Sequence, residues 1–326
     1  MKRFFKFCGS LVLILVVVGL VFAGIGYFTA GPKAVTDMVY NLTDGKVNLD
    51  WSGVKVNLSG IDVNLNNMLD GIGNYDIDDQ KMFDKNYTVW EKNVEKTQLS
   101  KADASSIEEL NMELGGCEFV LEESSDDFFY FAYEGTGKTQ AYIKDSGVYV
   151  KVLHTDVVIG DFNTNSKVTL YVPASVSLDS VKVSLGAGEM ELDGLKAEQM
   201  EFSLGAGEIH AEGLQAEELE VSVGAGDIEF TDAELKDVDI QVGAGNFNLA
   251  GKVSGNISAE CAMGNLTLKL AGSESDFNYD IECVSGNITI NNNEYSGLAQ
   301  EKSIDNGASK NIELECAMGN VDVVFE

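Results

Sequence analysis

Polar and apolar residues alternate through most of the second half of the chain, and glycine interrupts the alternation at intervals. Val181, Val183 and Leu185 are separated by Lys182 and Ser184; Leu219, Val221 and Val223 by Glu220 and Ser222; Val238, Ile240 and Val242 by Asp239 and Gln241; Ile312, Leu314 and Cys316 by Glu313 and Glu315. Past each glycine the alternation resumes, as in Ile228-Glu229-Phe230, Phe247-Asn248-Leu249, Leu266-Thr267-Leu268 and Ile288-Thr289-Ile290. A period of two predicts half-buried strands, whereas a helix would need apolar residues at steps of three and four.

The interruptions are themselves periodic. Leu185-Gly186-Ala187-Gly188-Glu189-Met190 returns as Leu204-Gly205-Ala206-Gly207-Glu208-Ile209, Val223-Gly224-Ala225-Gly226-Asp227-Ile228, Val242-Gly243-Ala244-Gly245-Asn246-Phe247 and Cys261-Ala262-Met263-Gly264-Asn265-Leu266. The last glycine falls at 188, 207, 226, 245 and 264, a constant step of 19 residues. Wider steps of 22 and 33 lead to Cys283-Val284-Ser285-Gly286-Asn287-Ile288 and Cys316-Ala317-Met318-Gly319-Asn320-Val321, and Leu114-Gly115-Gly116-Cys117-Glu118-Phe119 reads as an earlier copy.

Each unit is then a strand, a glycine corner, a second strand and a polar turn such as Asp193-Gly194-Leu195-Lys196-Ala197-Glu198. One unit cannot bury its apolar side alone. Stacked units can, with every strand pairing to the copies above and below at about 4.8 Å. The predicted fold is all-β: a single-stranded β-solenoid (β-helix or β-roll) with rungs of 19 residues, preceded by one transmembrane helix. Glycine bends the strand where a side chain would crowd the next rung or demand an unfavourable φ, so valine at Gly207 or Gly226 should strain the corner. The wider steps read as loops on one edge, 291–310 being the larger. Irregular alternation in 128–133, 148–152 and 168–173, with Pro173 at a strand end, suits first rungs that cap the stack.

The transmembrane prediction rests on residues 11–30, which carry no charge and match the roughly 30 Å apolar thickness of a bilayer. Lys2, Arg3 and Lys6 precede them and no acid does, so the N-terminus is expected in the cytoplasm and the remainder outside the membrane. A cleaved signal peptide has a shorter apolar region, roughly 7–15 residues, so an uncleaved anchor is expected. Cys8 precedes the apolar run, the wrong side for a lipoprotein cysteine. The expected organisation is a basic cytoplasmic tail at 1–10, the transmembrane helix at 11–30, a spacer or small cap at 31–98 and the solenoid at 99–326. Within 31–98, Val47-Asn48-Leu49, Val56-Asn57-Leu58 and Val63-Asn64-Leu65 alternate over short spans rich in Asn and Asp.

Composition narrows the function. A net charge of −31 excludes a nucleic-acid binder, which needs cations for phosphates. His154 and His210 are the only histidines, which excludes catalysis or metal binding built on several imidazoles. Immediately after the corner glycines stand Glu189, Glu208, Asp227, Asn246, Asn265, Asn287 and Asn320, one row along the stack. Calcium would take 6–8 converging oxygens and one row is visible, so hydrogen bonding from rung to rung is the favoured reading over calcium. Cys261, Cys283 and Cys316 share the inward register that Leu185, Leu204, Val223 and Val242 hold elsewhere. They read as buried thiols, with Cys261–Cys283 the expected bridge if one forms. His210, Ser203 and Ser222 face outward without triad partners. No catalytic, cofactor or metal site is assigned.

The strand Val168-Thr169-Leu170-Tyr171-Val172-Pro173, then Leu178 and Val181, then the tandem Gly-Ala-Gly-acid-apolar units from Gly186 onward resemble the bacterial putative-adhesin family of β-strand-repeat proteins, over about residues 99–326. The resemblance implies the repeat architecture and cell-surface adhesion, and it supplies no catalytic residues. Some members look like accessory parts of envelope-stress systems. The expected function is a membrane-anchored, extracytoplasmic structural or interaction module without catalysis. Its partners would be membrane lipid through residues 11–30 and a protein or glycan at the cell surface. The alternatives are an accessory protein of an envelope-stress signalling system and, from a different class, a polysaccharide-active enzyme.

Overall fold

A computed structural model describes residues 83–99, 104–135, 137–153, 166–296 and 300–326, together with the strands Val47–Asp50, Gly53–Leu58 and Ile61–Asn64. The chain divides into two compact units, Met1–Tyr75 and Asp76–Glu326. In the first, the three short strands pair antiparallel in chain order, and they fall where the brief Val-Asn alternation lies. Residues 11–30 and His154 lie outside the described residues. Among the described residues, no helix is long and apolar enough to cross a membrane.

The second unit is built from rungs, named below by their corner glycines. Each leading arm runs into the corner and each trailing arm out of it. Leading arms pair only with leading arms in the repeat, parallel and without slip: Leu178–Leu185 with Lys196–Leu204, that strand with Gln215–Val223, and that one with the second half of Asp227–Val242. Trailing arms also pair parallel with one another, through Gly188–Asp193, Glu208–Glu212, the first half of Asp227–Val242 and Asn246–Val253, with one shift of register between Phe230 and Ala233 in the last pair. Two parallel sheets thus face each other, and the alternating apolar residues of both fill the space between them. Phe230 lies at the middle of this core, with its ring 5.1 Å from Phe202 and 5.6 Å from Phe247, all three fully buried. Each such burial removes a large apolar area from water, which is what holds a stack of otherwise separate rungs together.

Glycine at the corners is required for two different reasons. Gly207 has φ +124°, in a region side chains rarely adopt, and a Cβ there would collide with the carbonyl of Gly188. Gly226 has an ordinary φ, but a Cβ would stand 2.6 Å from the Gly207 carbonyl oxygen and 2.6 Å from Leu204 Cδ2. The corners themselves are hydrogen-bonded: Ala206 N–H donates to Gly186 O at 2.9 Å, Ala225 to Gly205 at 2.9 Å, and Ala244 to Gly224 at 2.8 Å.

The two ends depart from the expected succession of rungs. Ile257–Cys261 pairs with Lys310–Cys316, and that strand pairs on its other side with Phe277–Cys283. The trailing arms repeat the order, Asn265–Leu270 to Asn320–Phe325 to Asn287–Ile290. The last rung in sequence therefore lies inside the one before it. Residues 291–310 are accordingly not simply an edge loop. They include Asn293–Ser296 and Gln300–Ile304, which pair antiparallel with the outermost arms and close the end of the stack. A parallel rung needs its next copy to cross back over the stack, whereas an antiparallel strand can turn straight back and end it.

The other end mirrors this. Glu109–Leu114 lies between Gly147–Leu153 and Leu178–Leu185, and Cys117–Ser124 between Lys167–Pro173 and Gly188–Asp193. Lys138–Lys144 and Tyr130–Glu134 cover the outer arms antiparallel. The β domain also begins earlier than residue 99. Val94–Gln98 pairs with Tyr130–Glu134, and Trp90 exchanges backbone hydrogen bonds with Thr139 at 2.8 and 2.9 Å. Fully buried Gln140 fastens this strap: its Nε2 donates to the carbonyls of Asp84 and Tyr87 at 2.8 and 3.0 Å, and its Oε1 accepts from Asp84 N–H at 2.9 Å. Residues 83–98, within the span expected to be a spacer or small cap, thus bond to the first strands of the β domain.

Candidate functional site

The residues following the corner glycines form the expected row on the outside of the trailing sheet. Its spatial order is Glu189, Glu208, Asp227, Asn246, Asn265, Asn320, Asn287, which follows the stacking of the rungs and not the sequence. The amides bond along the row in one direction. Asn320 Nδ2 donates to Asn265 Oδ1 at 2.8 Å, Asn265 to Asn246 at 2.7 Å, and Asn246 to the carboxylate of Asp227. The oxygens of the row accept these bonds, the arrangement expected of stacked asparagines. At the outermost rung Asn287 turns its amide to Thr289 Oγ1 at 3.3 Å, and its Oδ1 is buried with no partner.

A second outward row runs beside the first: Glu191, His210, Glu229, Asn248, Thr267, Asp322 and Thr289. His210 is exposed, and its ring nitrogens lie 3.5 Å from Glu208 Oε2 and 3.5 Å from Glu229 Oε2. Between the rows is a shallow open depression of about 320 Å³, walled mainly by Glu208, His210, Asp227, Glu229, Asn246 and Asn248. A second depression, about 640 Å³, lies at the C-terminal end against Glu274, Asn291, Asn293 and Phe325. Among the described residues, no group of three or more His, Cys, Asp or Glu side chains is placed to hold a metal ion.

The outside of the leading sheet carries a feature that the alternation alone did not reveal. Gln241, Glu260, Glu315 and Glu282 occupy one register on adjacent strands, and Asp239, Ser258, Glu313 and Asp280 occupy the neighbouring one. Burial and then the surrounding charges of Glu260, Glu282, Glu313 and Asp280 push the half-buried Glu315 carboxyl up to about 7. Burial followed by neighbouring carboxylates also raises Glu260 and Glu220. In the neighbouring register, farther along the stack, Lys182 pairs with Glu201 at 2.9 Å. The signal for this acidic stretch was present in the outward positions, but only the inverted order of the last rungs brings Glu315 between Glu260 and Glu282.

Ser203 and Ser222 face outward in register with each other, and neither has a histidine beside it in its row. The three inward cysteines are buried and their thiols are free. Cys261 and Cys283 are not neighbours, because Cys316 stands between them in register with both, so the Cys261–Cys283 bridge is overturned. Two in-register steps separate their Cα atoms by about 9.6 Å at strand spacing, beyond the reach of a disulfide. Sequence reasoning also missed the aromatic stack Tyr87–Tyr142–Tyr149, with centroids 4.1 and 5.1 Å apart, which covers the opposite end.

Paired parallel sheets, corner glycines and uninterrupted outward rows define a β-solenoid repeat protein. The chain belongs to the Toastrack DUF4097 family, whose model matches residues 107–324. No curated protein matches it. Solved structures that it is similar to include a putative cell adhesion protein from Clostridium sporogenes, at 14% identity over 72% of this chain and 100% of that one, with a TM-score of 0.30. A putative adhesin from Bacteroides fragilis matches at 13% identity over 72% and 98%, TM-score 0.38, and one from Parabacteroides merdae at 13% over 71% and 96%, TM-score 0.25.

Proposed function

We propose that the chain is a surface interaction module that does no chemistry, anchored in the membrane by residues 11–30 with its β domain outside the cytoplasm. The trailing face binds a protein or glycan partner. The observation that carries this reading is the pair of outward rows beside the 320 Å³ depression, where amides, carboxylates and one imidazole repeat at strand spacing. Such a surface offers donors and acceptors in a fixed, repeated geometry, which suits many weak polar contacts with a partner of regular structure. It offers no nucleophile with its base.

The test is made on cells displaying the full chain. A membrane-impermeant amine reagent should label the exposed Lys182, Lys196, Lys236, Lys252 and Lys269. The displaying cells should adhere to immobilised surface glycans or proteins, and the double variant His210→Ala/Asn248→Ala should lose adherence at least tenfold at equal surface level. Unlabelled lysines overturn the topology. Adherence unchanged by the double variant overturns the assigned face, and cross-links solely to membrane proteins of the same cell favour an accessory of a signalling system. The enzyme reading has one observation in its favour, the raised carboxyl of Glu315, because a carboxylic acid held protonated can donate to a leaving oxygen. Glu315 lines neither depression, and polysaccharide cleavage abolished by Glu315→Gln would be needed to support it.

A further inference from the structure

The inverted order of the last rungs places three thiols side by side, in the spatial sequence Cys261, Cys316, Cys283. All three are at most 2% exposed. Cys316 is in register with both neighbours, and its thiol donates to Gly319 O at 3.1 Å. In-register strands set Cα atoms about 4.8 Å apart, inside the 4.4–6.8 Å range that disulfides span. Cys117, the fourth described thiol, lies in a different register against Gly188. We propose that Cys316 is the shared member of a two-way disulfide, bonding to Cys261 or to Cys283, that clasps the inserted C-terminal rung to one neighbour or the other.

The chemistry is thiol–disulfide exchange with a small or protein disulfide as oxidant. Exchange begins when an outer thiol such as Cys261 loses its proton and becomes the attacking thiolate. Its thiolate displaces one thiolate from the donor and forms a mixed disulfide. Cys316, on losing its proton, attacks the Cys261 sulfur and displaces the second donor thiolate. Two protons and two electrons leave the pair, and the donor disulfide is reduced to two thiols. Cys283 can then attack Cys316 and release Cys261, which moves the bond one rung outward without further oxidant. Access comes from opening of the terminal rungs, since the ends of a solenoid open before its middle. The proposal rests on side-chain adjacency and stands apart from the binding reading above.

The three cysteines fall in separate tryptic peptides, cut after Lys252, Lys269, Lys302 and Lys310. The full-length chain is equilibrated in mixtures of reduced and oxidised glutathione, alkylated, digested and mapped without reduction. Every intramolecular disulfide should contain Cys316, with Cys261 or Cys283 as partner and Cys117 alkylated. Cys261→Ser should leave the Cys316–Cys283 bond, and Cys283→Ser the Cys316–Cys261 bond. The oxidised chain should melt higher than the reduced one, and the rise should vanish on adding dithiothreitol. Complete alkylation at the highest glutathione disulfide fraction, a Cys261–Cys283 bond, or a melting midpoint not raised by oxidation would each overturn the proposal.

Discussion

The middle of the solenoid and its C-terminal end use the same corner and the same alternation, yet they solve different problems. From the Gly188 rung to the Gly264 rung, each unit lies next to its neighbour in sequence, and the inward register before the corner is Leu or Val until the last of them. At the end, the Gly319 rung is laid between the Gly264 and Gly286 rungs, and the same register is cysteine in all three. The Cys316 sulfur sits under Gly286 and the Cys261 sulfur under Gly319, in the space that Leu204 fills under Gly226. The comparison teaches that local pattern sets what a rung is, while its place in the stack is decided by which edges remain to be covered. Sequential stacking would leave a parallel edge bare at the last rung. Folding back lets Asn293–Ser296 and Gln300–Ile304 close it antiparallel.

Removing the C-terminal rung should break this arrangement most severely. A chain ending at residue 309 loses the strand that joins two rungs, so the Gly286 rung is left with no parallel partner on its inner side. Hydrogen exchange should show lost protection over Phe277–Cys283 and Asn287–Ile290, with the Gly207 and Gly226 rungs retained. If the order in space followed the sequence, the same truncation would shave one rung and leave the Gly286 rung protected. That result would overturn the inverted order.

A lesion in the middle acts on neighbours that are already in place. Gly207→Val combines the positive φ with a collision against the Gly188 carbonyl, and should cost about 2–4 kcal/mol. Denaturant unfolding followed by far-ultraviolet circular dichroism measures it. Gly226→Ala, which meets crowding without the backbone penalty, should cost less. Equal losses at the two corners would mean that φ contributes nothing, and that space alone selects glycine along the edge.

This contrast also explains what could be read from the chain beforehand. The 19-residue step, the outward row and the inward register of the cysteines follow from alternation, because a two-residue period fixes which side each residue faces. Alternation carries no information about which rung lies beside which. The steps of 22 and 33 signalled that something intervened, but an edge loop and a capping pair of strands look alike as polar insertions. The bridge between Cys261 and Cys283 failed for that reason: the register was right and the order was not. The strap through Gln140 was hidden differently. A single buried amide donating to two backbone carbonyls 56 and 53 residues away leaves no periodic trace.

The smallest effect separates the two regions by their electrostatics. In the middle of the leading face, Glu201 is paired with Lys182, whereas Glu315 at the end has Glu260 on one side and Glu282 on the other. Its carboxyl is raised from the usual range to about 7. The folded state therefore holds this proton at pH values where the unfolded chain has released it. The sign follows from that difference: stability gained from the bound proton is present at low pH and is lost as pH rises from the unfolded carboxylate value toward 7. Above that window the ionised row repels itself across adjacent strands. Replacing Glu315 by Gln removes the repulsion, and at pH 8 it should stabilise the domain by about 0.5–1 kcal/mol, a value kept small by solvent at a half-buried position. At pH 5 the gain should shrink toward zero, because the native carboxyl is then already neutral. Glu201→Gln should show the opposite sign at pH 8, since it deprives Lys182 of its partner. A Glu315→Gln gain that does not change between pH 5 and pH 8 would mean that this carboxyl does not titrate in that window, and the electrostatic difference between the two regions would fall with it.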